Sequence, residues 1–258
     1  MIIGITGTKA NGTRFGEGSG KTVLGLAIMY HLLKDEYKNE VNFLAFIKCF
    51  KQKAFRDYYT LDKFITPVTF VSDSITLKEM LMPMLRCSEE DLYNTDYLVR
   101  PIKNLKTNFI MLNGKRYKAI PDAAKANNFI TKRNANGSNK WSVKSGYSTP
   151  LTLLEDMKEH FNTAVSPCTI LSNRIQELRH KSAIIYVDLD NFYTFNLIKN
   201  LGGATIIVDN PNKKGGNRGT VANQIFAKNE FDYRVNNNSD IENLYREALI
   251  ITQDLLNG

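Results

Sequence analysis

Gly20-Lys21-Thr22 brings together three residue types that phosphate chemistry uses. A glycine lets backbone N–H groups turn toward phosphate oxygens, a lysine adds a point charge on a flexible stem, and a threonine hydroxyl is a ligand for a hard cation. A second candidate is Asp188, a carboxylate closing the apolar run Ala183-Ile-Ile-Tyr-Val. At a strand end such a residue serves a Mg²⁺ water shell or orients a phosphoryl acceptor, although aspartate also starts turns and caps helices there.

The neighbourhood of Lys21 decides what it means. Ile2-Ile-Gly-Ile-Thr6 reads as a buried strand, and a Gly-rich stretch runs from Gly7 to Gly20. From Lys21 onward Val23, Leu26, Ala27, Tyr30 and Leu33 fall on one helical face. Strand, Gly-rich loop, Gly-Lys-Thr and helix form the setting of a Walker A sequence, where phosphate rests on the N–H groups of a helix N-terminus. Lys21 then reaches the β- and γ-phosphates, Thr22 holds Mg²⁺, and Gly18, Ser19 and Gly20 complete the cradle. The spacing departs from the usual form, since Phe15 stands where the first glycine is expected. A loop opening at Gly7 and enlarged by about eight residues (roughly Asn11–Gly18) accounts for this at small entropic cost. Glu17 is an awkward neighbour for phosphate, and the plainer alternative is a Gly-rich turn before a helix.

Other candidates are weaker. Lys213, Lys214 and Arg218 lie in a Gly-rich loop after a strand, which suits a phosphate clamp and equally a solvated loop. His31, His160 and His180 share no metal-ligand spacing and are expected on helix surfaces. No Ser/His/Asp or Cys/His arrangement stands out.

These residues need elements to hold them. Val41–Phe46 and Val68–Val71 read as strands, and Thr76–Arg86 as a helix whose methionines fill core gaps. Phe109–Tyr117 reads as a hairpin around Asn113-Gly114. Helices are expected from Pro150 to about Phe161, capped by Ser148 or Thr149, and over Cys168–Arg179. Ala183–Asp188 is a strong strand, and Tyr193–Leu201 a helix closed by Gly202-Gly203. Strands at Ala204–Val208 and Phe231–Val235 follow, separated by the basic loop Asn210–Arg218. Ser239-Asp-Ile-Glu242 reads as a capping box opening a last helix. Its stripe of Ile241, Leu244, Ala248, Ile251 and Leu255 is expected to pack on a sheet rather than form a dimer seam. The alternation implies an α/β fold, a parallel sheet with helices on both faces.

Net charge is +8, from 34 Lys and Arg against 26 Asp and Glu. The excess is local: Lys103 to Lys144 holds ten basic residues and one acid, Asp122, while the rest carries 24 basic and 25 acidic. Asn134-Ala-Asn-Gly-Ser-Asn139 marks loops within it. A solvated, flexible insertion is the first reading, a phosphate-bearing small substrate the second, and nucleic acid the third. Aromatics are present there (Phe109, Tyr117, Phe129, Trp141, Tyr147), but no recognition motif is. The domain expectation is a core of residues 1–100 and 145–258 with a basic, Asn-rich insertion or substrate-covering region at 101–144. Hydrophobic content of 43% and charged content of 23% argue against disorder. Three widely spaced cysteines fit a reducing compartment, and no apolar run approaches the ~20 residues a membrane span needs. The expected location is the cytoplasm, with no membrane partner.

The ends of the chain resemble the bacteriophage-type deoxynucleoside monophosphate kinases of the P-loop nucleoside and nucleotide kinase superfamily. The likeness rests on Ile2–Gly7 with Gly20-Lys21-Thr22, Leu44-Ala45-Phe46-Ile47-Lys48, Thr149-Pro150 with Leu153-Leu154, and the segment from Asp188 through Ala204–Val208, Pro211 and Glu230–Asn236 to a helix opened by Ser239. It covers roughly residues 1–50 and 149–258. Leu151 stands where the family has an arginine, Glu155 replaces a glutamine, and Lys158-Glu159 replaces Gly-Thr. Asp188-Leu-Asp190-Asn-Phe-Tyr-Thr194 lacks the arginine and glutamate of its motif, and Asn210-Pro211 replaces Arg-Pro. The resemblance implies a P-loop NTPase-like fold, ATP and Mg²⁺ as cofactors, and transfer of the γ-phosphoryl group to a deoxynucleoside monophosphate. Lys21 and Asp188 would be catalytic, Thr22 and Asp188 would hold the metal, and Lys213, Lys214 and Arg218 would close over phosphates. The host cytoplasm would be the setting for a phage-encoded chain, and a homodimer is compatible with it. The alternative is a degenerate ATP-binding P-loop protein with a regulatory or nucleic-acid-linked role.

Overall fold

The computed structural model describes residues 1–7, 19–33, 38, 41–50, 68–113, 115–120, 122–135, 140–161, 166, 168–177, 183–189, 191–210, 231–238 and 240–258. Most of the Gly7–Gly20 stretch, Asp190, the loop from Pro211 to Arg218 with its three cations, and His180 lie outside them. In chain order the elements are β1 (Ile2–Gly7), α1 (Lys21–Leu32), α2 (Phe43–Cys49), β2 (Val68–Val71), α3 (Asp73–Leu85), α4 (Glu89–Tyr93), α5 (Thr95–Leu98), β3 (Lys106–Leu112) and β4 (Lys115–Ile120). There follow α6 (Ala123–Asn134), β5 (Trp141–Tyr147), α7 (Pro150–His160), α8 (Thr169–Glu177), β6 (Ala183–Tyr186), α9 (Phe192–Asn200), β7 (Ala204–Asp209), β8 (Tyr233–Asn236) and α10 (Ile241–Asn257). The chain divides into two compact units, residues 1–76 with 166–258, and residues 77–165. The basic stretch 103–144 lies wholly within the second.

The first unit is an α/β layer structure around a five-stranded sheet of order β2-β6-β1-β7-β8. Every pair is parallel, with Ile3 facing Ile185 on one side and Ala204 on the other. The strands are short and β-branched, as fully covered parallel strands are. Alternation sends Ile3, Ile5, Ile185, Val187, Ile206 and Val208 to one face, against α1, α2 and α10. Ile184 and Tyr186 point to the other, against α8 and α9. Helix α1 is buried from Leu24 to Tyr30 because α10 covers the side the sheet does not. A side chain at Gly25 would come within 2.6 Å of Val187 Cγ1, so the glycine is what lets α1 lie this close to the strand.

Several expectations change here. Residues 43–49 form a helix, not the strand expected over Val41–Phe46. Asn42 caps it by accepting from Ala45 N at 2.9 Å, and Phe46 and Phe50 turn inward at helical spacing. The cap of α10 is Asp240, which accepts from Glu242 N at 2.9 Å; Ser239 lies outside the described residues. The buried stripe of α10 is Leu244, Ala248 and Ile251, packed on α1 and the sheet face, while Ile241 is exposed.

The second unit contains an antiparallel sheet of order β4-β3-β5. Its β3–β4 hairpin turns at Asn113, whose φ of 49° is the left-handed conformation asparagine tolerates. Neither α6 nor β5 is expected from the polar, Asn-rich sequence. Asp122 caps α6 by accepting from Ala124 N and Lys125 N, and Ala126 and Phe129 seat the helix on the sheet beside Trp141. In α3 the core residues are Leu77 and Leu81, whereas Met80 and Met84 are exposed rather than core filler. Thr149 caps α7, with Pro150 in its first turn.

Candidate active site

All five strands of the first unit point their carboxyl ends to one edge. From β1 the chain builds β2 and then β6 on one side, and only afterwards crosses to β7 and β8 on the other. Open parallel sheets bind ligands at such a reversal, outside the carboxyl ends. Lys21 and Asp188 both lie there.

Helix α1 starts at Gly20, whose φ of +88° is left-handed. A β-carbon at this position would stand 2.4 Å from Asn237 Nδ2 and 2.8 Å from Leu244 Cδ1, so conformation and space both require glycine. Asn237, just past β8, donates from Nδ2 to the Ser19 carbonyl at 2.9 Å and from its backbone N–H to the Asp209 carbonyl at 2.6 Å. The entry into α1 is thereby tied to the ends of β7 and β8. Gly20 has no side chain with which to cap α1, the Ser19 hydroxyl accepts from Lys21 N only at a long 3.4 Å, and the first turn carries no acid. Its leading N–H groups and the positive end of its dipole suit an anion.

The Lys21 side chain reaches the carboxyl end of β6. Its Nζ donates to Asp188 Oδ1 at 2.8 Å, with the two side chains 16% and 6% exposed. The other oxygen, Oδ2, accepts from Ser72 Oγ at 2.6 Å and from Ser74 N at 3.3 Å. Among the described residues three donors reach this buried carboxylate, and hydrogen bonds of this kind replace the water it loses. A second acid lies next to this group. Asp73 is buried and accepts from the buried Tyr186 hydroxyl at 2.8 Å. The ends of β2 and β6 therefore hold two buried carboxylates, one on the Lys21 ammonium and one on the Tyr186 hydroxyl.

Of the residues singled out in the sequence, Lys21 and Asp188 are in direct contact. Ser19 is buried and Gly20 supplies the turn. Thr22, second in α1, is exposed. Gly18, Lys213, Lys214 and Arg218 lie outside the described residues. His31 is half-buried rather than on a helix surface, with Nε2 donating to the Tyr245 carbonyl at 3.0 Å and burial pushing its pKa down. Sequence reasoning missed Ser72, Asp73, Ser74, Tyr186 and Asn237. The available signal was Val68-Thr-Phe-Val71 followed at once by Ser-Asp-Ser, a strand end crowded with polar groups.

Hydroxyl and carboxylate oxygens such as those of Thr22 and Asp188 are the donors Mg²⁺ takes alongside phosphates. Among the described residues no three or more His, Cys, Asp or Glu side chains gather into a metal site of their own. No helix among them is long and apolar enough to cross a membrane. A cavity of about 940 Å³ opens at the opposite edge of the sheet, by the strand starts at Ile2, Val68, Ala183 and Ala204. It is far from this chemistry by topology. No protein-family model and no curated protein sequence matches the chain.

Proposed function

We propose that the protein is a nucleotide kinase-like phosphotransferase, with a P-loop NTPase-like fold, that moves the γ-phosphoryl group of ATP to a deoxynucleoside monophosphate. The observation that carries this is the Lys21–Asp188 pair at 2.8 Å, set beside the start of α1 at the carboxyl edge of a parallel sheet. The likeness of the chain's two ends to phage-type deoxynucleoside monophosphate kinases supports the choice of acceptor.

The residues divide the work by charge. The leading N–H groups of α1 bind phosphate oxygens, and Lys21 exchanges its carboxylate partner for the β- and γ-oxygens. Thr22 and Asp188 would hold Mg²⁺, which neutralises charge on the phosphates. Ser72 Oγ and the Ser74 N–H keep the Asp188 carboxylate in place once Lys21 has left it. Catalysis in this scheme is positioning and electrostatic stabilisation, with no covalent step on the protein.

A coupled assay of ADP release with Mg·ATP and each of dAMP, dCMP, dGMP and dTMP tests the proposal. At least one acceptor should give turnover, and Lys21→Ala should abolish it. One observation favours a second reading, an ATP-binding protein without transfer. The Thr149-Pro150 segment continues into Leu151, which is 7% exposed and apolar where the family places an arginine. ATP binding with no turnover on any of the four acceptors would select that reading.

A further inference from the structure

The charge of the second unit is not spread evenly. From Ala123 to Tyr147 the chain has five cations (Lys125, Lys132, Arg133, Lys140, Lys144) and no acid. All five are exposed. Among the described residues none of them pairs with a carboxylate. The fold also gathers four of them; Lys144 stands on the opposite face of β5 from Trp141, Tyr147 and α6. Asn134, the last residue of α6, accepts from Trp141 N at 3.2 Å and donates to Trp141 O at 3.4 Å. This fastens the end of α6 to the start of β5, so Lys132 and Arg133 come to the same place as Lys140. Lys125 lies two turns back along α6, at about 1.5 Å per residue some 10 Å away.

Two aromatic rings accompany the cations. Tyr117 is 53% exposed and is braced edge-on by Trp141 at 4.9 Å, with Phe129 at 6.0 Å. Tyr147 is 48% exposed at the end of β5, with Lys106 Nζ 5.8 Å from its ring centroid. Lysines on an edge strand such as β5 also serve to discourage strand pairing. That role explains Lys144 but makes no demand on the exposed face of α6 or on half-exposed tyrosines. Cations in series with exposed rings are the pattern that binds a phosphodiester backbone while bases stack.

We infer that α6 and β5, with Tyr117 and Tyr147, form a binding surface for single-stranded nucleic acid. Lys125, Lys132, Arg133 and Lys140 engage the backbone, and the two tyrosines stack bases without reading their sequence. The surface is independent of the phosphotransferase reading, since neither Lys21 nor Asp188 belongs to it. Charge complementarity names the partner as a polyanion, and the half-exposed rings select one whose bases are unpaired.

Fluorescence anisotropy of the full chain with a labelled 20-nucleotide DNA strand, titrated from 50 to 200 mM NaCl, tests this. Four engaged cations give a slope of log K against log salt of about −2.8. Lys125→Ala/Lys132→Ala/Lys140→Ala should lower its magnitude by about 2 and weaken binding at least tenfold at 50 mM NaCl. Lys48→Ala, an exposed lysine of α2, should leave the slope unchanged. Tyr117→Ala/Tyr147→Ala should weaken binding to the strand at least fivefold, from the worth of stacked bases, while leaving the affinity for dextran sulfate as it was. Circular dichroism confirms that each variant is folded. No binding at 50 mM NaCl, a triple variant that binds like the parent, or tighter binding to a 20-base-pair duplex than to the strand would overturn the assignment.

Discussion

Replacing Asp188 by asparagine separates the two jobs assigned to its carboxylate, holding Lys21 in the free protein and supporting transfer in the loaded one. The side chain keeps its shape, so Oδ1 can still face Lys21 and the new amide can face Ser72, whose hydroxyl turns to accept. What disappears is the charge, together with the long bond from Ser74 N, which then faces an amide N–H. Hydrogen bonds to a charged group contribute about 1.5–3 kcal/mol and neutral ones about 0.5–1.5, a loss of about 1–1.5 kcal/mol per bond. Two short bonds are affected, from Lys21 at 2.8 Å and Ser72 at 2.6 Å. Both partners of the ion pair are mostly buried, so solvent does not erase the difference. The expected destabilisation is about 2–3 kcal/mol, a fall in Tm of roughly 4–12 °C for a chain of this size. Binding of ATP without metal should move the other way. Phosphate no longer has to draw Lys21 from a charged partner, and regaining about 1–1.5 kcal/mol tightens Kd roughly five- to tenfold. Calorimetric titration in EDTA reads the affinity, thermal unfolding reads the stability, and the ADP assay should show turnover lost. An Asp188→Asn variant with unchanged Tm and unchanged metal-free ATP affinity would refute the role given to the pair.

Gly20→Ala forces a left-handed residue to carry a β-carbon 2.4 Å from Asn237 Nδ2. The conformation alone costs about 1–3 kcal/mol, and the Asn237–Ser19 bond is displaced, so urea unfolding should show lower stability and titration weaker ATP binding. A different test concerns Asp156 in α7, whose pKa is raised from 3.8 to about 6 by burial, with Arg116 at 3.9 Å offsetting only part of it. Between those values the folded protein holds a proton that the unfolded chain has lost, so stability falls as pH rises through the window. Asp156→Asn removes that slope, and unfolding curves at pH 4 and pH 7 should show the variant gaining on the parent toward pH 7.

The strands of the parallel sheet were legible because each is a short β-branched run with a clear stop, as in Ala183–Val187. The first helix announced itself through Val23, Leu26, Ala27 and Tyr30. Residues 43–49 were not legible as a helix, since a short apolar run fits either period and Asn42 reads as a cap only once the helix is known. Helix α6 and strand β5 were hidden by composition. Ala126, Phe129 and Trp141 are too few to set a periodicity, and it is the neighbouring β3 that gives β5 its pairing. At the site, Lys21 and Asp188 stood out by motif and by strand end. Their contact did not, because it depends on β6 lying beside β1 across 167 residues of chain. Ser72 matters only because β2 pairs with β6, and Asn237 only because β8 ends level with the start of α1.

The central claim, that Lys21 and Asp188 belong to a phosphoryl-transfer site, is tested most directly by ADP release. The parent protein and Lys21→Ala are compared with Mg·ATP over the four deoxynucleoside monophosphates, both shown to be folded. Acceptor-dependent ADP release by the parent, lost in Lys21→Ala, is the predicted result. No acceptor-dependent release by the parent, or equal release by the variant, would contradict it.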